Sequence, residues 1–585
     1  MTAPLTDKNR ILITSALPYI NGIKHLGNLI GSMLPADLYA RFQRLRGKEV
    51  LYICATDEHG TPAELAALGQ NKDIQTYCKE MHDLQRILGE GFLLSWDYFG
   101  RTSSPQNHEL TQYFQQRLAD NDLIYEKTMK QVFSITDNRF LPDRYIEGTC
   151  PYCQYDKARG DQCENCTRVL DPTDLINPHS SISGSTNIEI RETKHLFLKQ
   201  SACVDDLRKW IDDKKRQNWL PLVTSIAEKW LNDGLHDRCI TRDLKWGIPV
   251  NREGYEDKVF YVWFDAPIGY IAATKEMTDA QNLDDSAWQS WWRHDKGADD
   301  VFYIQFMAKD NIPFHTISFP ATIFGANDNW KVTDYIKGFN WLTYYGGKFS
   351  TSSKRGVFMN HALELYDPDY WRWYLLSNVP EGADAAFTWE HFQSVVNKDL
   401  ADVLGNFINR TLKFCASKFG DKVPETSFAH TDLEIQTKAL ILEKATLYFE
   451  YLDACEIRKA AQELRSIWVV GNEYLQSAAP WKMIKENPDR AAMNIHFAFN
   501  LIHIFGELAK PFIPQAAQTI HNIVPNQDIS HIWMCIDCYH FDAIKSGMIF
   551  TIPNILFTKI ENDDIAKLTI DFDKQNSNIE DNPSS

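Results

Sequence analysis

Two short apolar runs near the start, residues 11–17 and 50–56, bracket a segment whose apolar residues recur at helical spacing, and this alternation constrains the fold most. Both runs are β-branched and flanked by charge and turns, the pattern of buried parallel strands. Between them Leu29, Ile30, Met33, Leu34, Leu38, Phe42 and Leu45 follow a helical period, and Gly47 stands at C′. Pro35 lies inside that pattern, so a kink or a broken first turn is expected there. Thr61-Pro62-Ala63-Glu64 has the form of an N-cap, an N1 proline and a capping-box glutamate opening a second helix. Strand, helix, strand, helix is the beginning of a doubly wound α/β domain.

The alternation breaks near Tyr125. Residues 126–225 are turn-rich and carry cysteines, then helical stretches with Trp210 and Trp219. Strand-like runs return at 259–264 and 301–306, so the sheet resumes after an insertion. From about Asn397 helix follows helix: 397–418, 431–450, 456–478 and 490–510. The 585 residues allow about three to five folding units. The expected division is a catalytic α/β domain at 1–125 and 226–340, an insertion at 126–225, a connecting region at 341–396, a helical domain at 397–557 and a tail at 558–585. From Lys574 the tail is polar and expected to be disordered.

Cys150-Pro-Tyr-Cys153 and Cys163-Glu-Asn-Cys166 are two Cys-x-x-Cys knuckles nine residues apart. Each knuckle presents two thiolates to one cation, and two complete a tetrahedral sulfur site that suits Zn2+. Four protein ligands leave no open position, so such a metal is structural. Cys535-Ile-Asp-Cys538 stands alone, and a lone pair does not fill a four-ligand shell. Of 12 cysteines, four are thus spaced for metal and not for disulfides, which favours a reducing cytoplasm.

The net charge of −17 argues against an indiscriminate nucleic-acid binder but leaves room for a selective one with a locally basic face. No run approaches the roughly 20 apolar residues of a membrane helix, so no membrane partner is expected. The first residues lack the basic and apolar regions of a secretory signal.

After the first run comes Ala16-Leu-Pro-Tyr19-Ile-Asn21-Gly22-Ile-Lys-His25-Leu-Gly27-Asn28. Its glycines let backbone approach a ligand, and its imidazole arrives near a helix N-terminus, which favours anions. On its own His25-Leu-Gly-Asn28 is a four-letter match shared with ordinary strand–helix turns. Far away lies Gly346-Gly-Lys348-Phe-Ser350-Thr-Ser352-Ser-Lys354-Arg355-Gly356, whose glycines, hydroxyls and cations suit a mobile clamp on triphosphate more than a solvated flexible loop.

Together these segments resemble the HIGH and KMSKS signatures of class I aminoacyl-tRNA synthetases. The Ala-Leu-Pro-Tyr-x-Asn-Gly stretch, Thr56-Asp57-Glu58-His59-Gly60-Thr61, Phe260-Tyr-Val-Trp263-Phe-Asp265-Ala266-Pro267-Ile-Gly-Tyr270 and Lys309-Asp310-Asn-Ile-Pro-Phe314-His315 narrow the resemblance to the methionyl-tRNA synthetase family. It runs in order from about Arg10 to Phe557, with the knuckles where that family carries its zinc knob. The resemblance implies a Rossmann-like catalytic domain with a zinc-bearing connective insertion, a KMSKS-like loop in the 341–396 region and an α-helical anticodon-binding domain. It implies a methionine–tRNA ligase that forms methionyl-adenylate and pyrophosphate from L-methionine and Mg2+-bound ATP, then charges initiator and elongator tRNA(Met).

By the same resemblance His25, Asn28, Lys348, Lys354 and Arg355 serve the phosphates. Asp57 anchors the methionine ammonium with Arg242 in support, and Leu17, Tyr19, Trp263, Ala266, Pro267, Tyr270, Phe314 and His315 enclose the side chain. Asn406, Arg410 and Trp481 read the anticodon, Trp481 by stacking on a base. Two positions depart from the family pattern: Asn28 stands where HIGH ends in His, and Thr351 holds the second lysine position of the loop. No appended dimerising module is recognisable, so a monomer is expected. A non-tRNA nucleotidylyltransferase would need neither the knob nor the helical domain. A zinc-dependent RNA-binding module would leave the lysine loop without purpose, and a synthetase for leucine, isoleucine or valine would carry a far larger insertion.

Overall fold

The computed structural model describes residues 5–570 except 161–162, 164, 167, 169, 352–353, 526–532 and 534–540. Cys535, Cys538 and the tail from Lys574 lie outside the described residues.

Five parallel strands form the central sheet, in the order Tyr335–Phe339, Val301–Ala308, Arg10–Ser15, Glu49–Thr56 and Tyr98–Arg101. Alternate residues feed different faces: Ile11, Ile13 and Cys54 join one core, and Leu12, Ile53 and Ala55 the other. The chain builds outward from Arg10–Ser15 on one side, then returns on the other. The strand order therefore reverses between Arg10–Ser15 and Val301–Ala308, and a doubly wound sheet opens its ligand crevice at the carboxyl ends of such a pair.

The first crossover begins with the turn Leu26–Asn28, continues as a π-helical stretch, Leu29–Met33, and becomes α-helical at Leu34–Leu45. Pro35 sits in the first turn of that last piece, so the break expected at the proline takes the form of a π segment just before it. Two local expectations are corrected. The helix Thr61–Gly69 is capped by Gly60 without a side-chain bond, and Glu64 is no capping-box residue. Its carboxylate instead meets Tyr145 Oη, Arg139 Nη2 at 3.0 Å and the Trp246 backbone N–H at 3.1 Å, tying the insertion to the catalytic domain. Likewise the strand expected over 259–264 ends at Phe260, and Trp263 rides a helical turn, Val262–Asp265.

The insertion is built on a long antiparallel pair, Ile124–Ser134 with Ile188–Leu198, which carries a small sheet and the cysteine knuckles at its far end. The helices Val204–Arg216 and Pro221–Asp233, which the sequence groups with the insertion, pack Leu207, Trp210 and Val223 into the core of the parallel sheet, joined by Trp219 from the link between them.

Between residues 396 and 521 the chain is mostly helical: Asn406–Phe419, Asp432–Asp453, Ile457–Ala478, Pro480–Glu486, Pro488–Ala509 and Pro514–His521. The π-helical stretch Val396–Gly405 leads into the first of these. Fully buried Arg372 locks the two halves together. Its guanidinium pairs with Asp37 at 2.8 Å and donates to the carbonyls of Phe92, Pro511 and Phe512. Part of the segment assigned to the tail also packs back: Thr558 and Ile560 bond Tyr370 and Asn397, and Ile560 and Ile565 are buried.

Candidate active site and metal centre

A cleft of about 540 Å³ opens where the strand order reverses. Leu17, Tyr19, His25, Asn28, Trp263, Phe314 and Lys348 all line it. His25 precedes the first helical turn, and its Nδ1 accepts the Asn28 backbone N–H at 3.2 Å while Asn28 Oδ1 accepts the His25 backbone N–H at 3.2 Å. This mutual cap has a chemical consequence. Nδ1 is an acceptor, so the neutral ring carries its proton on Nε2, and Asn28 keeps its amide N–H groups for a ligand. Burial, aided by the charge of Lys24, pulls the His25 pKa down to about 3, so the ring is neutral at physiological pH. Phe349 stacks on the imidazole with centroids 4.9 Å apart.

The backbones of Pro18 to Ile20 and Asp57 bond reciprocally, which places Tyr19 beside the buried Asp57 carboxyl. Asp57 Oδ1 is buried without a hydrogen-bond partner, an acceptor that suits an arriving ammonium. Burial and then the charges of Asp265 and Glu58 push its pKa well above the carboxylate range, while Lys24 opposes them. Asp265 is held by His59 Nδ1 at 2.7 Å, and Glu58 by Arg101 Nε at 2.9 Å. Sequence reasoning did not single out Asp265, Glu58 or Lys24, although each lies within or beside a quoted motif.

Trp263 Nε1 donates to Tyr19 Oη at 3.2 Å, and its ring meets Phe314 at 4.6 Å. Behind them Tyr270 Oη is 3.0 Å from His315 Nε2, and His315 Nδ1 is 2.9 Å from the Asn311 carbonyl. Burial lowers His315 to about 4, so its Nδ1–H donates to the carbonyl and its Nε2 accepts from the tyrosine. Ala266 closes the Val262–Asp265 turn, and Pro267 shares a small apolar cavity with Trp263 and Phe314. Arg242 lies 3.7 Å over the Tyr261 ring and donates to the Thr241 carbonyl, at the edge of a second cleft shared with Tyr19.

The lysine loop is only partly turned to the cleft. Lys348 and Thr351 line it, with Lys348 Nζ 4.8 Å over Trp341. Lys354 is exposed in a left-handed turn and is not among the cleft-lining residues. Arg355 folds back along the hairpin, donating to the carbonyls of Tyr344 at 3.1 Å and Lys348 at 3.4 Å. In this conformation the structure brings neither Lys354 nor Arg355 into the cleft wall.

In the insertion the sulfurs of Cys150, Cys153, Cys163 and Cys166 lie within 4.8 Å of one another. Cys150–Cys166 and Cys153–Cys163 are 3.9 and 3.6 Å apart, far beyond a disulfide bond. A tetrahedron with Zn–S bonds of about 2.3 Å has sulfurs roughly 3.8 Å apart, so the set fits Zn2+. The Tyr155 backbone N–H lowers Cys153 to about 6, and Asn165 Nδ2 adds a contact at 3.7 Å.

In the helical domain Arg410 stacks over Trp481 at 4.8 Å, and Asn406 is exposed one turn earlier, just past the π-helical stretch. The three residues expected to read an anticodon thus share one surface.

A doubly wound parallel sheet with a His-Leu-Gly-Asn cap and a lysine loop across one cleft defines a class I aminoacyl-tRNA synthetase. The sequence family described as "tRNA synthetases class I (M)" matches residues 11–412, and "Anticodon binding domain of methionyl tRNA ligase" matches residues 423–577. A methionine–tRNA ligase of Cereibacter sphaeroides is 58% identical over 565 residues, covering 95% of this chain and 98% of that one. One from Caulobacter vibrioides is 58% identical over 569 residues, covering 96% and 99%. A Mycobacterium tuberculosis methionyl-tRNA synthetase solved with methionyl-adenylate shares the fold at a TM-score of 0.74 and 22% identity, over 94% of this chain and 99% of that one. The chain belongs to the methionyl-tRNA synthetase family.

Proposed function

We propose that the chain joins methionine to tRNA(Met), initiator and elongator alike, in two steps within one cleft. The methionine carboxylate attacks the α-phosphate of Mg2+-bound ATP, and a hydroxyl of the terminal adenosine then takes the methionyl group. No protein nucleophile is required, so rate comes from positioning and from donors aimed at developing charge. The unpartnered Oδ1 of Asp57 beside the Tyr19–Trp263–Phe314 wall carries this reading, because a buried free acceptor next to an aromatic pocket suits an amino acid with a polarizable apolar side chain.

Asp57 takes the ammonium. Leu17, Tyr19, Trp263, Ala266, Pro267, Tyr270, Phe314 and His315 form the thioether pocket, and Arg242 stiffens its outer wall through Tyr261. His25 Nε2–H and the Asn28 amide donate to phosphate oxygens, and Lys348 neutralises charge from the opposite side. Lys354 and Arg355 serve the leaving pyrophosphate once the loop swings over the cleft, because Arg355 must first release its backbone carbonyls. Cys150, Cys153, Cys163 and Cys166 would hold Zn2+ with no open position, and the ion would fix the shape of the insertion's end. Asn406, Arg410 and Trp481 read the anticodon.

The chain acts as a monomer, and thiolate ligands favour the reducing cytoplasm where ATP and tRNA are found. Among the described residues no helix is long and apolar enough to cross a membrane. Methionine-dependent ATP–pyrophosphate exchange by the purified chain, followed by charging of tRNA(Met), is the deciding experiment. Exchange driven by another amino acid and not by methionine would overturn the assignment.

A further inference from the structure

The cleft contains a buried cation that neither phosphate signature accounts for. Lys24 immediately precedes His25, is 4% exposed, and lines the same cleft. Burying an ammonium is costly unless it is matched by a counter-charge. Yet its Nζ donates to a neutral amide oxygen, Asn21 Oδ1, at 2.9 Å. Asp57 feels its charge, but Asp57 Oδ1 stays without a hydrogen-bond partner. A lysine retained to neutralise Asp57 would be expected to occupy that oxygen. Burial lowers Lys24 to about 7, against the opposing charge of Asp57.

Two positions differ from the signatures the chain resembles: Asn28 stands where HIGH ends in His, and the uncharged Thr351 stands at the second lysine position of the facing loop. Thr351 lines the cleft opposite the turn that leads into Lys24: a Cβ placed on Gly22 would stand 3.1 Å from Thr351 Cγ2. Gly22 adopts φ +147°, which glycine tolerates and larger residues rarely do, so the loop can approach closely there.

We propose that Lys24 is a catalytic residue of methionine activation, its ammonium leaving Asn21 to hold a non-bridging oxygen of the ATP α-phosphate and supplying charge absent at Thr351. In that step a methionine carboxylate oxygen bonds to the α-phosphorus. The bond from that phosphorus to the bridging oxygen breaks, and its electron pair leaves with pyrophosphate. The negative charge of the triphosphate beside it holds the proton on Lys24 throughout. The inference rests on the activity proposed above.

The test compares the full-length chain with Lys24→Met, Lys24→Gln, Thr351→Lys and the double variant Lys24→Met/Thr351→Lys. Pyrophosphate exchange, methionine affinity by tryptophan fluorescence and thermal unfolding are measured for each. Both Lys24 variants should lose about 10²-fold in the exchange rate, the scale of one lost donor to a developing charge, while methionine affinity and melting temperature hold. Thr351→Lys should recover at least about tenfold in the Lys24→Met background, as expected of two groups serving one charge. An exchange rate near that of the unmodified chain would overturn the proposal. So would an equal loss of methionine affinity, or a loss that Thr351→Lys leaves unrelieved. Absence of methionine-dependent exchange in the unmodified chain would instead overturn the activity itself.

Discussion

Asp57 and His25 are the residues whose ionisation the site depends on most. Burial and then the charges of Asp265 and Glu58 raise the Asp57 carboxyl well above its ordinary value, and an arriving ammonium favours the charged form. Methionine binding should therefore release protons, which calorimetry in buffers of different ionisation enthalpy detects. Affinity should weaken as pH falls, because protonation removes the counter-charge, and Asp57→Asn should abolish that dependence along with most of the affinity. His25 presents the opposite case. Its ring is neutral at physiological pH and its Nε2 proton is fixed by the cap with Asn28. His25→Ala should slow adenylate formation by about 10²–10³-fold with methionine affinity nearly intact, as read by pyrophosphate exchange. Both residues were legible in the sequence through their motifs. The cap that chooses the imidazole tautomer was not, because Asn28 entered the argument as a departure from HIGH and a phosphate contact, not as a partner of His25.

At the scale of elements, the zinc knuckles and the anticodon surface behave as separable parts. The purified chain should contain one Zn2+ by metal analysis. Cys150→Ser/Cys163→Ser should lose it and loosen the 146–180 region under limited proteolysis, since structural zinc contributes folding free energy directly. The knuckles were readable from spacing because two short turns set each ligand pair. Trp481 follows Ala479 in a left-handed turn and Pro480 at a helix start, so its ring is aimed by local backbone before any partner arrives. Trp481→Ala should lose most tRNA charging and retain pyrophosphate exchange. Full charging by the variant would remove Trp481 from the anticodon surface. Glu64 shows where local reasoning fails. Its position three residues into a Thr-Pro start matches a capping box, yet the stronger competitors are Arg139, Tyr145 and Trp246, which only folding brings near.

For the whole molecule, Arg372 is the joint between the sheet domain and the helical domain. Its guanidinium satisfies three carbonyls and Asp37 at once. Burial raises the Asp37 carboxyl, but Arg372 and Arg41 outweigh it and hold the net pKa below the usual value of 3.8. The stability this network contributes is therefore full above that value and is lost as pH falls through the lower folded one. Arg372→Met leaves a buried carboxylate short of its partner and should cost about 3–5 kcal/mol, measured as a lower urea midpoint for the coupled unfolding of both halves. Unchanged midpoints would show that the domains are joined elsewhere.

What the amino-acid order determined alone is whatever depends on short separations. This includes the alternating strands of the sheet, the helical run of the second half, the paired cysteines and the glycine-bearing turn before His25. Tertiary structure decided what depends on contacts beyond the local turn, from 11 residues away along a hairpin to 244 across the cleft. It put Trp263 on a helical turn against Tyr19, and it drew Trp210 and Trp219 into the parallel-sheet core. It also turned Arg355 back upon its own hairpin and buried Lys24 beside Asp57. The physical reason is that periodicity and turn chemistry act over a few residues. The burial that displaces an ionisation, and the contacts that claim a carboxylate or a guanidinium, exist only once the sheet has brought distant segments to one cleft.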